Sequence, residues 1–258
     1  MEPAQQSTNR MYIVPCMLTI CSLFSGFYSI VSSFNGHFFA AAIAILVAGV
    51  FDMLDGRVAR MTGSTSTFGM ELDSLCDMVA FGVAPGLLAF LWALTPYGRY
   101  GWLAAFLYVA ATALRLARFN AQAIDNRDSK TSATSSDFTG LPCPAAAGMI
   151  ATSVMFSTYV FKTTDTVQNI TLLLLVYLLS YLMVSSHRYL SFKHVEIARE
   201  KRFHVFIGLI LLLILLASEP PITLFAASLI YISSGLVLAL RERSRRNKRK
   251  QVKQEKLP

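Results

Sequence analysis

Four aspartates, Asp52, Asp55, Asp73 and Asp77, stand close together in a chain that is 54% hydrophobic. Charges are costly at membrane depth and are seldom found there without a task. Their spacing sharpens the point. At 100° per residue, Asp52, Asp55, Gly56, Ala59 and Arg60 form one stripe of a helix, and Gly69, Asp73 and Asp77 form a second. The two stripes can face each other. Four carboxylates converging on one space would repel one another, and a hard divalent cation, Mg²⁺ or Mn²⁺, removes that conflict, with room for two ions. Gly56 and Ala59 leave space on the same face for a bulky group, and Arg60 offers a charged fork for phosphate, so a diphosphate suits the site.

The residues around these stripes must hold two helices in register. Eight apolar segments, at about 12–33, 38–60, 71–95, 99–119, 142–161, 169–189, 203–218 and 222–240, are separated by turn residues such as Asn35-Gly36, Pro96 and Glu219-Pro220-Pro221. The fold class expected is an all-α polytopic membrane protein with about eight transmembrane helices. One membrane domain over residues 1–240 precedes a basic tail at 241–258. An even number of spans puts both termini on one side. If that side is the cytoplasm, only Arg99 and Lys162 of the 23 Lys and Arg fall outside, so charge sets the orientation.

The purely apolar part of the second segment, Phe38 to Phe51, is 14 residues, or about 21 Å of helix against about 30 Å of hydrocarbon. The helix must therefore continue through Asp52 and Asp55, which brings them to the cytoplasmic headgroup boundary. Met61 to Phe68 then forms the turn into the third helix. The ends of the fourth and sixth segments place Arg115, Arg118, Asn120, Arg188 and Lys193 on the same side.

Several function classes are disfavoured. The net charge of +8 is concentrated in the tail, where nine Lys and Arg lie between Arg241 and Lys256, so it reads as a membrane flank and no nucleic-acid partner is expected. Cys16, Cys21, Cys76 and Cys143 have neither disulfide nor zinc spacing and read as packing residues. The first ten residues lack a basic leader with a small-residue cleavage site, so the first span is expected to be retained. Taken singly, glycine and alanine could be helix packing contacts, and an Asp–Arg combination a structural ion pair. Aspartates could also serve an ion-coupled transporter, but such a protein would carry polar or broken segments in both halves.

The joint pattern, D-x2-D-G-x2-A-R-x8-G-x3-D-x3-D from Asp52 to Asp77, resembles the signature of the CDP-alcohol phosphotransferase family at every fixed position. The resemblance implies a metal-dependent enzyme, usually a homodimer, in which an alcohol displaces CMP from a CDP-linked lipid. Carried over by position, Asp52, Asp55, Asp73 and Asp77 would be the metal set, with Asp77 also the general base. Asp52, Gly56, Ala59, Arg60 and Gly69 would hold the CDP-lipid.

Beyond the signature, LDSLCDMVAFGVAP (72–85), RLARFN (115–120), FTGLPCPAAA (138–147) and SYLMVSSHRYLSFK (180–193) look like the phosphatidylserine synthase branch, over roughly residues 12–193. VPCMLTICSLFSGF departs from it at Met17 and Cys21, where that branch more often has Asn. The implied reaction joins CDP-diacylglycerol and L-serine into phosphatidylserine and CMP, at the inner membrane of a prokaryote with the site facing the cytoplasm. Serine's carboxylate needs a cation. Arg118 with Asn120 is the first choice, Lys193 the second, and Arg115 and Arg188 are further candidates. Glycerol 3-phosphate, inositol phosphate or choline are alternative acceptors.

Overall fold

The computed structural model of the chain describes residues 4–63, 66–128, 140–160, 166–185, 208, 211 and 213–235. Among these, all regular structure is helical. The elements are α1 (Ala4–Phe34), α2 (Phe38–Thr62), α3 (Thr67–Tyr97), α4 (Arg99–Asp128), α5 (Cys143–Val160), α6 (Thr166–Val184) and α7 (Pro220–Gly235). The first five contain spans long and apolar enough to cross a membrane, and α6 and α7 contribute shorter apolar helices. Half of the expected segment at 203–218 falls outside the described residues, and so do Arg188, Lys193 and the basic tail.

Lipid offers no hydrophobic drive for helices to associate, so close packing of small residues must do that work. Helices α1 and α2 show it. Ser22, Ser25, Ser29, Ser32 and Ser33 are buried on α1, and Ala41, Ala42, Ala44 and Ala48 on α2, with the Ser22 hydroxyl donating to the Ala48 carbonyl at 3.1 Å. The opposite face of α1 exposes Met17, Ile20, Phe24, Phe27, Val31 and Phe34, as a lipid-facing surface would. At Gly26, an added Cβ would lie 2.6 Å from the Ala80 Cα, so the missing side chain sets the α1–α3 distance.

Helices α3 and α5 are the inner pair, each 56% buried across its apolar window against 28–33% for the other three long spans. Helix α3 departs from regular geometry in two widened π-helical stretches, Met78–Val83 and Phe90–Leu94, before a 3₁₀ turn at Thr95–Tyr97. Pro85 supplies one physical reason. It has no N–H to return to the Phe81 carbonyl four residues back, and the buried Tyr108 hydroxyl of α4 donates to that carbonyl instead, at 3.0 Å.

Several boundaries differ from expectation. Helix α2 runs to Thr62 and α3 begins at Thr67, so the connection is shorter than 61–68. Gly63 takes the left-handed conformation (φ 63°) and caps α2 through its N–H to the Ala59 carbonyl. Ser66 caps α3, its Oγ accepting from Gly69 N–H at 2.9 Å. Helix α4 continues past residue 119 to Asp128, because the polar residues after Asn120 still form helix once clear of the apolar layer. Helix α6 stops at Val184, short of 189.

Candidate active site

Each aspartate's position follows from its place on a helix end. Asp52 and Asp55 occupy adjacent turns of α2, about 21 Å and 26 Å along from Phe38, which sets them near the membrane boundary. Asp73 and Asp77 lie one turn apart near the start of α3. The short capped connection folds α3 back so that these two ends meet. One carboxylate oxygen each from Asp52, Asp55 and Asp73 falls within 4.8 Å of the others. Asp77 lies against Asp52, within hydrogen-bonding reach of it. The two stripes read from the sequence thus converge.

The partners of these oxygens bear on what the cluster holds. Asp55 is only 4% exposed, and the Thr19 hydroxyl of α1 reaches one side of it. Its Oδ2, and Oδ1 of Asp73, are buried and have no hydrogen-bond partner among the described residues. A buried acceptor left bare costs about 1–3 kcal/mol, and more when charged. A cation fits that vacancy of partners. Two ligands on opposite sides of one Mg²⁺ stand about 4.2 Å apart, close to the span of the three aspartates. The donor set is all carboxylate oxygen, which suits a hard divalent ion.

The other residues of the signature surround this cluster. Gly56 and Ala59 are half-buried and Arg60 is exposed. A Cβ on Gly56 would meet only the Arg60 guanidinium, at 3.9 and 4.0 Å, so space opens beside Gly56 beneath a cationic fork. Gly69 has a local task. A Cβ there would lie 3.1 Å from the Ser66 Oγ that caps α3.

The cationic candidates divide sharply. Arg118 is exposed. Asn120 is engaged elsewhere: its Oδ1 accepts from Ser74 Oγ at 3.1 Å, and its Nδ2 donates to Glu71 Oε2 at 3.4 Å. Both partners flank Asp73 on α3, so Asn120 ties α4 to the helix that carries two of the aspartates. Arg115 is half-buried, its Nη1 donates to Cys143 Sγ at 3.8 Å, and its buried Nε has no partner among the described residues.

Sequence reasoning missed Thr19, although Thr19, Ser22, Ser29 and Ser33 recur on one buried face of α1 and could have signalled a polar seam. It also missed Cys143 beside Arg115. The GLPCP segment brings this thiol in, because Gly140 (φ 88°) packs where a Cβ would lie 2.6 Å from the Met183 carbonyl oxygen, and Leu141 N–H donates to Leu182 at 3.2 Å. All four cysteines are free, with Cys76 and Cys143 buried.

Residues 12–177 match the family model described as CDP-alcohol phosphatidyltransferase. A Helicobacter pylori protein named CDP-diacylglycerol–serine O-phosphatidyltransferase is 38% identical over 188 residues, covering 73% of this chain and 76% of that protein. A Mycobacterium leprae protein of the same name is 39% identical over 160 residues, 60% of this chain and 52% of that one. The archaetidylserine synthase of Methanothermobacter thermautotrophicus is 35% identical over 178 residues, 68% of this chain and 69% of that one.

Proposed function

The chain belongs to the CDP-alcohol phosphatidyltransferase family, and from this we propose that it transfers the phosphatidyl group of CDP-diacylglycerol to L-serine, giving phosphatidylserine and CMP. The observation that carries the reading is the meeting of three carboxylates from α2 and α3, two of them with a buried oxygen that has no partner among the described residues. Relatives named for serine transfer in both bacteria and an archaeon support serine as the acceptor.

Asp52, Asp55 and Asp73 would hold the divalent cation, Mg²⁺ or Mn²⁺, with Asp77 completing a set that accommodates two ions. Bound there, the metal offsets charge on the diphosphate and on the departing CMP. The space beside Gly56 and Ala59, fronted by Arg60 and bounded by Gly69, takes the cytidine diphosphate end. Serine's hydroxyl oxygen bonds to the phosphorus that carries diacylglycerol, and the bond from that phosphorus to the bridging oxygen breaks, so CMP leaves with that oxygen. Asp77 takes the hydroxyl proton as the new bond forms.

Arg115 pairs with serine's carboxylate, since its buried Nε has no partner among the described residues while Arg118 is exposed and Asn120 is hydrogen-bonded to α3. Arg188 and Lys193 would add positive charge on the same side. The site faces the cytoplasm, on the strength of the Lys and Arg distribution, and the enzyme works as a homodimer of the inner membrane.

The test is CMP release by the purified protein from CDP-diacylglycerol with Mn²⁺ or Mg²⁺. L-serine alone, among serine, glycerol 3-phosphate, inositol phosphate and choline, should drive it, and EDTA should stop it. Release driven by another alcohol overturns the acceptor assignment. Release with none of them overturns the transfer reading as a whole.

A further inference from the structure

Helix α7 lies beyond residues 12–177 that the family model matches, yet it packs along the inner helix α5. The two run antiparallel. Phe156 stacks on Phe225 with ring centroids 4.6 Å apart, and one turn on, Thr152 meets the Ser228 hydroxyl at 2.9 Å, which also approaches Met149 Sδ at 3.2 Å. The next turn along this seam brings Tyr231 and Ile232 to the level of about Ala145 to Gly148, one turn from Cys143. Ile232 is 4% exposed, and Tyr231 is half-buried against the same core.

Cys143 is the residue whose sulfur holds Arg115. The Tyr231 phenol lies within electrostatic range of the same guanidinium. Arg115 thus has a thiol as its neighbour on the α5 side, and the α5–α7 seam brings Tyr231 toward the same end of α5. Neither carries a negative charge at neutral pH, and among the described residues nothing pairs with the buried Nε, which is left for an incoming anion.

We propose that α7 completes the acceptor subsite and that Tyr231 is a positioning residue, walling Arg115 so that its guanidinium meets the acceptor's carboxylate. This rests on Arg115 being the carboxylate's partner. The physical gain is twofold. A guanidinium on a long side chain loses rotamer freedom when fixed, and a wall fixes it before the acceptor arrives. Excluding water on that side also strengthens the ion pair, because attraction grows as the local dielectric constant falls.

Steady-state kinetics of the purified full-length protein with CDP-diacylglycerol and L-serine test this in Tyr231→Leu and Tyr231→Met. Thermal unfolding in detergent checks that each variant is folded, and the Met variant fills the space if the Leu variant does not fold. The expected result is a rise of about tenfold in KM for L-serine, with KM for CDP-diacylglycerol within twofold and kcat within threefold of the unmodified protein. Unchanged serine KM, or equal losses for both substrates, would overturn the proposal while leaving serine transfer intact. An unmodified protein that ignores serine overturns the reading of the site itself, and the proposal with it.

Discussion

Replacing Asp55 by Asn should make the metal-free protein more stable and remove its response to metal. The carboxylate oxygens of Asp52, Asp55 and Asp73 come within 4.8 Å of one another. Two full charges at that distance repel by ~3.5 kcal/mol at an effective dielectric constant of ~20. Asp55 faces two such neighbours, its Oδ2 has no donor among the described residues, and it is 4% exposed. Neutralising it removes repulsion and leaves a side chain of the same shape. Protonation and water relieve part of the strain in the unmodified protein, so a gain of about 1–3 kcal/mol in the absence of metal is expected, or several degrees in Tm. Metal reverses the order. An ion at 100 times its Kd stabilises the unmodified protein by about 2.7 kcal/mol, and the variant should gain less than a third of that. Thermal unfolding in detergent, with EDTA and then with Mn²⁺, measures both without any turnover. An Asp55→Asn protein that is less stable in EDTA and keeps its Mn²⁺ shift would refute the reasoning, because the carboxylate would then be a structural hydrogen-bond partner.

Other substitutions separate roles within the site. Arg115→Lys should raise KM for L-serine by about 10- to 100-fold, the worth of a buried charged hydrogen bond, while Arg118→Ala changes it less than threefold; the reverse order would return the carboxylate to Arg118. Asn120→Ala removes the bonds to Ser74 and Glu71, each worth about 1 kcal/mol. It should lower kcat several-fold with serine KM within twofold, and a selective rise in serine KM would make Asn120 a substrate contact. Gly26→Val puts a branched side chain where even a Cβ lies 2.6 Å from the Ala80 Cα. Overpacking of this kind costs about 1–3 kcal/mol, and an unchanged Tm would mean that α1 and α3 are free to separate.

The aspartate stripes could be read from sequence because helical geometry fixes which residues share a face, and a charge in an apolar run is conspicuous. Asp52, Asp55 and Asp73 consequently stand together, with Asp77 against Asp52. The extent of α4 could not be read in the same way. Hydropathy reports where the apolar layer ends, near residue 119, whereas the backbone keeps its helix through polar residues to Asp128. The π-helical stretches of α3 also leave little trace, since a uniformly apolar run such as Met78–Val83 has no periodicity to disturb. Pro85 was the one local hint. The choice among cations was beyond sequence for a different reason. Arg115 and Arg118 sit about 60° apart around one helix, and only the packing of α5 determines that the first is half-buried beside Cys143 while the second is exposed. The tie of Asn120 to α3 could not be read either, because Ser74 and Glu71 lie 46 and 49 positions away in the chain.

The most direct test of phosphatidyl transfer at the aspartate cluster is product identification by mass spectrometry, using isotopically labelled L-serine, CDP-diacylglycerol and Mn²⁺ with the purified protein and its Asp77→Asn variant. Labelled phosphatidylserine should form with the unmodified protein, disappear with EDTA, and be absent with Asp77→Asn although that variant still binds CDP-diacylglycerol. Labelled product from the variant at the unmodified rate would contradict the assignment of Asp77 as the base, and no labelled product from the unmodified protein would contradict serine transfer.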